Sequence, residues 1–387
     1  MLELGHPWVI ADSTTKQWPA LVGGHTVALT DQAGRFLGTA LADPGDRIVA
    51  RVLSRRRMTL DGAWLAQRLR SAQSLRVLHA GLQDSTAYRL VNGEGDGLPG
   101  LTVDRYGDWL MVQLYCEGWR PHLKAVTAAL RELCSPAGIY EKTRPRNTRE
   151  LEAASDSKAY GKLLYGRPAP SRLEVIENGL TFLVSLEQGL NTGLFLDQRN
   201  NRRDLMERAA GRRILNLFSY TGAFSVAAAA AGAQMVTSVD VSPSYTAWAR
   251  DNVSANRIDP ARHEFIVGDC LNVMADLTRQ GRCFDIILMD PPSFSTTQKG
   301  RFTTRGGTST LVAAAMPLVS NGGLLITSSN HQKVEPSDYL KELRRGALQA
   351  GGDLKVLSMT GQPEDFPFPV TFPEGRYLKY VISAVVR

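Results

Sequence analysis

The sequence is poor in cysteine. Its four cysteines, Cys116, Cys134, Cys270 and Cys283, lack metal-ligand spacing and are too sparse for a disulfide framework in 387 residues. No metal site is expected, and a reduced, cytoplasmic setting is. Long apolar runs are missing too, so no membrane association is expected, and Met1-Leu-Glu-Leu-Gly-His6 has neither the charge nor the apolar core of a signal peptide. There is no internal repeat, and the alanine run Ala227–Ala231 is the only low-complexity stretch. The Gly-x-Gly-x-x-Gly loop of nicotinamide dehydrogenases is absent, because Gly222 is the only glycine between Ile214 and Gly232. Charge of one sign does not dominate. Lys plus Arg number 45 against 38 Asp plus Glu, with a pI near 9.3, which suits a polyanionic partner without requiring one.

What is present centres on Ile214-Leu-Asn-Leu217, a short apolar run that reads as a buried parallel strand. Phe218, Ser219, Tyr220, Thr221 and Gly222 form a tight loop, and Ala223–Ala231 a helix closed by Gly232. Met235–Val239 is a second strand with Asp240 at its carboxyl end. Open α/β sheets hold a ribose in this way, with a strand, a tight loop, a helix and an acidic residue ending the next strand. Phe265-Ile-Val-Gly-Asp269 ends a third strand, and Phe284–Met289 leads into Asp290-Pro-Pro-Ser-Phe294.

Upstream, residues 1–72 read as a small β-rich domain, with alternating stretches near 25–30, 35–41 and 47–53 separated by Asp31–Gly34 and Asp43–Asp46 turns. Thr59–Ala80 is expected to be helical. Residues 73–190 form a middle α+β domain, with a hairpin over 101–114 about Gly107, a helix over Pro121–Cys134 and a further hairpin turning at Asn178-Gly179. Asn92–Gly100 is glycine-rich, but no helix follows it directly, so turns are expected rather than a phosphate cradle. Residues 191–387 form the third domain, which Thr192-Gly-Leu-Phe-Leu-Asp197-Gln198-Arg199 opens.

These stretches together resemble the large-subunit ribosomal RNA methyltransferases that carry an N-terminal PUA domain. Gly5-His-Pro-Trp-Val9 and the alternating strands look like the PUA module. Asp96–Gly100 and Asp104–Asp108 look like the middle domain. Phe195–Arg199, Asn216–Gly222, Asp290–Phe294 and Phe372–Lys379 look like the catalytic domain. The resemblance implies a Rossmann-like, class I S-adenosylmethionine-dependent methyltransferase acting on a base of 23S rRNA or its large-subunit precursor. It also implies that Gln198, Arg199, the 218–222 loop, Asp240, Asp269 and Asp290 line the cofactor pocket. Whether the protein is a homodimer stays open.

One departure from the family bears on the chemistry. Its cytosine-C5 members carry a cysteine in the loop after the strand that here is Gly323–Thr327, and that thiolate must add to C6 of the ring. This chain has Asn330 there, which cannot form the adduct. Ser328-Ser-Asn330 instead resembles the guanine-N7 half of the bifunctional 23S rRNA enzyme, as do Glu177-Asn-Gly179, Thr192–Asp197 and Trp248-Ala-Arg250. Guanine N7 has an in-plane lone pair and no proton to lose, so it needs positioning more than acid–base catalysis. Guanine N7 is the favoured target. Asp290, Ser293 and Asn330 are expected to orient the base, with Phe294 either stacking on it or packing its own loop. Cytosine C5 is the alternative, since Pro373–Lys379 and the PUA-like region resemble that branch. A non-catalytic cofactor-binding assembly factor is a third reading.

Arginines at 51, 55 and 56, the Arg144/Arg146 stretch, and Lys299, Arg301 and Arg305 are candidate RNA-phosphate contacts, against the plainer reading of solvated charge. Reversing Arg301 and Arg305 to Glu should weaken RNA binding and flatten its salt dependence by close to one log–log unit per lost phosphate contact, with cofactor affinity unchanged. Unchanged RNA binding at low salt would dismiss this role.

Overall fold

The computed structural model describes residues 2–143, 158–292, 294–297 and 300–386, with the backbone alone for 294–297 and 300–306. Arg144, Arg146, Ser293 and Lys299, and the side chains of Phe294, Arg301 and Arg305, lie outside the described residues. The chain divides into two compact units. Unit 1 is Met1–Val175, Val184–Thr192 and Pro363–Gly375; unit 2 is Ile176–Leu183, Gly193–Gln362 and Arg376–Arg387.

Unit 1 opens with an antiparallel sheet of β1 (Trp8–Ile10), β2 (Thr26–Thr30), β3 (Phe36–Ala42) and β4 (Ile48–Ser54), in the order β1-β4-β3-β2. Helix α1 (Gly62–His79) is started by Asp61, whose carboxylate accepts from the Trp64 amide at 2.8 Å. A five-stranded sheet follows in sequential order: β5 (Ala87–Asn92), β6 (Leu101–Tyr106), β7 (Trp109–Leu114), β8 (Gly138–Lys142) and β9 (Gly161–Gly166). Only β7–β8 is parallel, and α2 (Leu123–Cys134) makes that crossover. Within Asn92–Gly100, Gly93–Asp96 is a short 3-10 turn, and Gly97 and Gly100 have positive φ, as a turn reading requires.

The expected boundary at 72/73 is not a gap in the packing. It falls inside α1, and Leu41 and Leu53 of the first sheet share one hydrophobic cluster with Leu65, Leu69, Val103, Trp119 and Ile139. The boundary at 190/191 is also crossed. Residues 363–375 belong to unit 1, because buried Arg76 donates to the Asp365 carbonyl at 2.8 Å and the Asp365 carboxylate accepts from the Arg89 amide at 2.9 Å. Phe372 also meets the Trp8 ring edge-on at 4.6 Å.

The hairpin of β10 (Leu173–Glu177) and β11 (Leu180–Val184) turns at Asn178 and Gly179, both at positive φ, as a tight two-residue hairpin turn demands. Residues 176–183 belong to unit 2. Trp248 donates to the Leu183 carbonyl at 3.0 Å, and the Asn252 and Asn256 side-chain oxygens accept from the Leu183 and Thr181 amides.

The body of unit 2 is a seven-stranded sheet of β12 (Arg213–Leu217), β13 (Met235–Asp240), β14 (Glu264–Val267), β15 (Phe284–Met289), β18 (Val319–Ser329), β19 (Asp353–Thr360) and β20 (Lys379–Val386). Between β15 and β18 lies a small hairpin, β16 (Phe294–Thr297) with β17 (Gly300–Thr303). The sheet order is β14-β13-β12-β15-β18-β20-β19, parallel except around β20. This is the Rossmann-like arrangement expected, with its topological switch between β12 and β15.

Alternation along the strands explains the layering. Leu215, Leu217, Ile287, Met289 and Leu325 pack with α6 (Cys270–Arg279), α7 (Thr304–Ala315) and α8 (Pro336–Gln349). Their neighbours Ile214, Ile286, Leu288 and Ile326 pack on the other face with α3 (Arg199–Ala209) and α4 (Ala223–Ala230). Helix α5 (Pro243–Ala255) joins β13 to β14. Among the described residues no helix is long and apolar enough to cross a membrane.

Within unit 2, Arg202 of α3 and Glu177 form a buried bidentate pair at 2.6 and 2.7 Å, and Arg202 also donates to the Phe195 carbonyl at 2.7 Å. Removing one member leaves a buried charge unpaired, so Glu177→Ala should lower the unfolding free energy by about 3–5 kcal/mol. A loss below about 1 kcal/mol in urea unfolding would refute that.

Candidate cofactor and base site

The carboxyl ends of β12, β13, β14, β15 and β18 share one edge of the unit 2 sheet. After β12 the chain turns sharply, with Phe218 at φ 58°, Tyr220 at 52° and Gly222 at 76°. Two of the five non-glycine residues with positive φ in the described chain fall here, which marks a loop held by its surroundings. Gly222 is required twice over: besides its φ, an added Cβ would lie 2.7 Å from the Ala249 Cβ. The turn is pinned by Thr221, which donates to the Gly193 carbonyl at 2.5 Å, and by Asn252, which donates to the Thr221 carbonyl at 2.8 Å.

Asp240 meets this loop directly. Its Oδ2 accepts from the Tyr220 amide at 2.8 Å and its Oδ1 from the Ser242 amide at 2.9 Å. An ionised carboxylate only accepts hydrogen bonds, the chemistry that suits vicinal hydroxyls. Asp269 is the N-cap of α6, its Oδ1 accepting from the Leu271 and Asn272 amides at 3.1 Å, and the Gly268 amide donates to the Asp240 carbonyl at 2.9 Å. Sequence reasoning missed three apolar residues beside these carboxylates. Val241, Val267 and Leu271 are 63, 50 and 39% exposed at the strand ends, an apolar wall suited to a flat ring. The signal available was an apolar residue at each position: Val241 directly after β13, Val267 closing β14 and Leu271 in the first turn of α6. Tyr245, edge-on to Tyr220 at 4.4 Å, and Phe195, 5.2 Å from Tyr220, were missed as well.

The second half of the site gathers around Asp290. The Gln198 amide nitrogen donates to Asp290 Oδ2 at 3.0 Å and to Ser328 Oγ at 2.9 Å, while its oxygen accepts from Asn201 at 2.6 Å. Withdrawal from water pushes the Asp290 carboxyl up to about 6, and nearby Asp197 pushes the same way against the Ser328 and Gln198 hydrogen bonds. Asp197 accepts from the Tyr377 hydroxyl at 2.8 Å. Arg199 is fully buried at the start of α3, and its carbonyl accepts from Asn178. Asn330 is exposed just beyond β18. The structure thus brings together the 218–222 loop with Asp240 and Asp269, and Gln198 with Asp290. Among the described residues no group of three or more His, Cys, Asp or Glu could hold a metal ion.

Among the candidate RNA arginines of unit 1, Arg51 needs correction. Arg51 is buried, 3% exposed, and paired with Asp43 at 3.4 Å and Asp46 at 3.0 Å, so its charge is spent inside the fold. Arg55 donates to the carbonyls of Leu2, Leu37 and His6. Arg56 is exposed.

Residues 88–370 match the family model for S-adenosylmethionine-dependent methyltransferases, and residues 1–55 match that of a PUA-like domain. The ribosomal RNA large subunit methyltransferase I of Yersinia pestis is 33% identical over 375 residues, 97% of this chain and 94% of that protein. Its namesake in a Yersinia pseudotuberculosis strain matches to the same extent. A solved structure described as a methyltransferase complexed with SAH aligns with a TM-score of 0.88 at 31% identity, covering 99% of this chain and 96% of that one. A SAM-dependent methyltransferase from Streptococcus mutans aligns with a TM-score of 0.85, also at 31% identity and with the same coverage.

A carboxyl raised from 3.8 to about 6 is favoured in its protonated form by the folded chain. Its stabilising contribution is therefore complete below about pH 4 and lost as pH rises through about 6. Asp290→Asn, neutral at every pH, should be more stable than wild type at pH 7.5 by roughly 1–3 kcal/mol, the difference vanishing near pH 4. A stability difference independent of pH would contradict this.

Proposed function

The chain belongs to the S-adenosylmethionine-dependent methyltransferases that carry an N-terminal PUA-like domain, S-adenosylmethionine is its cofactor, and on that premise we propose that it methylates large-subunit ribosomal RNA at N7 of a guanine. The observation that carries the choice of atom is Asn330, which stands at the end of β18 where a thiol nucleophile would be needed for cytosine C5. The four cysteines support this reading. Burial pushes the thiols of Cys116 and Cys270 up to about 12 and that of Cys134 upward, so none of these three is readily a thiolate. Cys283 precedes β15, at the end opposite Asp290.

Bound S-adenosylmethionine supplies an electrophilic methyl group on a sulfonium centre. Asp240 would hold the ribose hydroxyls, Asp269 the adenine amino group, and Val241, Val267 and Leu271 the adenine faces. The sharp 218–222 turn would lie against the cofactor after β12, with Gln198 and Arg199 supporting it from the start of α3. On the base side the chain need not remove a proton, because the N7 lone pair is already available. Its task is orientation and exclusion of water. Asp290 is mostly ionised above pH 6 and so accepts from base N–H groups, and it also steadies the cationic ring that N7 methylation produces. Asn330 would contribute an amide contact to the base. Ser293 and Phe294, which follow Asp290-Pro-Pro in sequence, would complete the base contact, Phe294 by stacking. Arg56, Arg144, Arg146, Lys299, Arg301 and Arg305 are the proposed phosphate contacts.

The test is methyl transfer from labelled S-adenosylmethionine to unmodified 23S rRNA, digestion to nucleosides and separation, with Asp240→Ala as the control that loses cofactor affinity by calorimetry. Label in 7-methylguanosine is expected. Label in 5-methylcytidine or in an exocyclic N-methyl nucleoside would overturn the choice of atom. Transfer only to an assembled particle would change the substrate's state, not the base.

A further inference from the structure

Strand β20 begins directly beside the proposed base site, with Lys379 paired to Ser329, the residue before Asn330. Lys379 is buried, 3% exposed, between the core side chains Leu378 and Tyr380. Its ammonium donates to two backbone carbonyls, His331 at 2.7 Å and Tyr377 at 2.8 Å. The first belongs to the turn that carries Asn330. The second belongs to the residue whose hydroxyl holds Asp197, and Asp197 is one of the charges acting on Asp290. A buried amine is costly, and an apolar residue would pack a strand start without that cost. The lysine instead ties together two segments that flank the site.

We propose that Lys379 is a positioning residue for methyl transfer, its ammonium fixing the Asn330-His331 turn and, through Tyr377, the Asp197 carboxylate, so that Asn330 and Asp290 meet the base in one geometry. The inference rests on the methyltransferase reading and is independent of which base is methylated.

The charge on this strut is labile. Burial pulls the Lys379 ammonium down to about 8, opposed by Glu335 at the start of α8. The other titratable groups facing it are His331 and Lys333 on the turn and Tyr377 on its own segment. His331 is itself held below its ordinary value by burial and by the Lys379 and Lys333 charges, so it does not titrate above neutrality. A neutral amine keeps its N–H donors but loses the charge assistance that makes such bonds strong. Arginine would keep the charge throughout.

The experiment compares wild type, Lys379→Met and Lys379→Arg as full chains. It measures methyl incorporation into 23S rRNA between about pH 7 and 9.5, cofactor affinity by calorimetry, and amide hydrogen exchange of the 327–335 segment. Lys379→Met should lose about tenfold or more in kcat at pH 7.5, with cofactor affinity and the KM for RNA within about twofold of wild type. It should also exchange faster at 330–333. Lys379→Arg should recover part of the rate and move the alkaline fall in activity to higher pH. An unchanged kcat in Lys379→Met, an alkaline limb identical in Lys379→Arg, or unchanged exchange at 330–333 would overturn the proposal. Should Lys379→Met fail to fold, the Lys379→Arg limb and exchange decide. Should the wild type not methylate this RNA, the substrate reading alone fails, and exchange at 330–333 still judges Lys379.

Discussion

One side-chain amide governs the base half of the site. Gln198 gives one hydrogen to Asp290 at the end of β15 and the other to Ser328 near the end of β18, and its oxygen is taken by Asn201 one turn along α3. With all three groups engaged, the amide has one orientation, and the start of α3 is tied to the ends of the adjacent strands β15 and β18. Phe195, Leu196 and Asp197 are held through the same turn, because Arg202, paired with Glu177, also takes the Phe195 carbonyl. The cofactor half follows a simpler constraint. Asp240 binds the loop that precedes it in sequence, so the carboxylate proposed to hold the ribose also shapes the turn.

The distribution of charge adds to this picture. Unit 2 contains 22 Lys and Arg against 16 Asp and Glu, and unit 1 contains 23 against 22, making up the totals of 45 and 38. Nearly all of the positive excess therefore lies on the unit that holds the site. Attraction of a polyanion falls there, although the PUA-like sheet was where the densest basic cluster stood in the sequence.

Legibility followed the range of the interaction. Ile214–Leu217 and Phe284–Met289 are short apolar runs that sheet burial on both faces demands, and Gly222 and Asn178-Gly179 mark turns that few other residues allow. Asp240, Asp269 and Asp290 were readable as candidates because each stands at a strand end or within two residues of one. Arg51 was not, since its burial depends on Asp43 and Asp46 folding back across a turn, and in sequence it looks like Arg55 and Arg56. Lys379 was visible only as part of a motif, because a lysine at a strand start looks exposed until the carbonyls of His331 and Tyr377 close over it. Equally invisible was the exchange of residues 176–183 and 363–375 between the units. The first rests on pairings such as Thr181 with Asn256, and the second on contacts far longer in sequence, Arg76 with Asp365 and Trp8 with Phe372.

That last arrangement bears on how the protein is made. A ribosome releases residues 1–175 long before residues 363–375, yet Arg76, Arg89 and the Trp8 ring all have partners in the later segment. The amino-terminal unit cannot reach its final packing while the chain is still growing. It must wait, partly assembled, through synthesis of nearly all of the catalytic sheet. Domains usually fold in the order they emerge, with the first finished before the second begins. Here the two must mature together, so a truncation near residue 190 would yield an incomplete unit rather than a free-standing RNA-binding module.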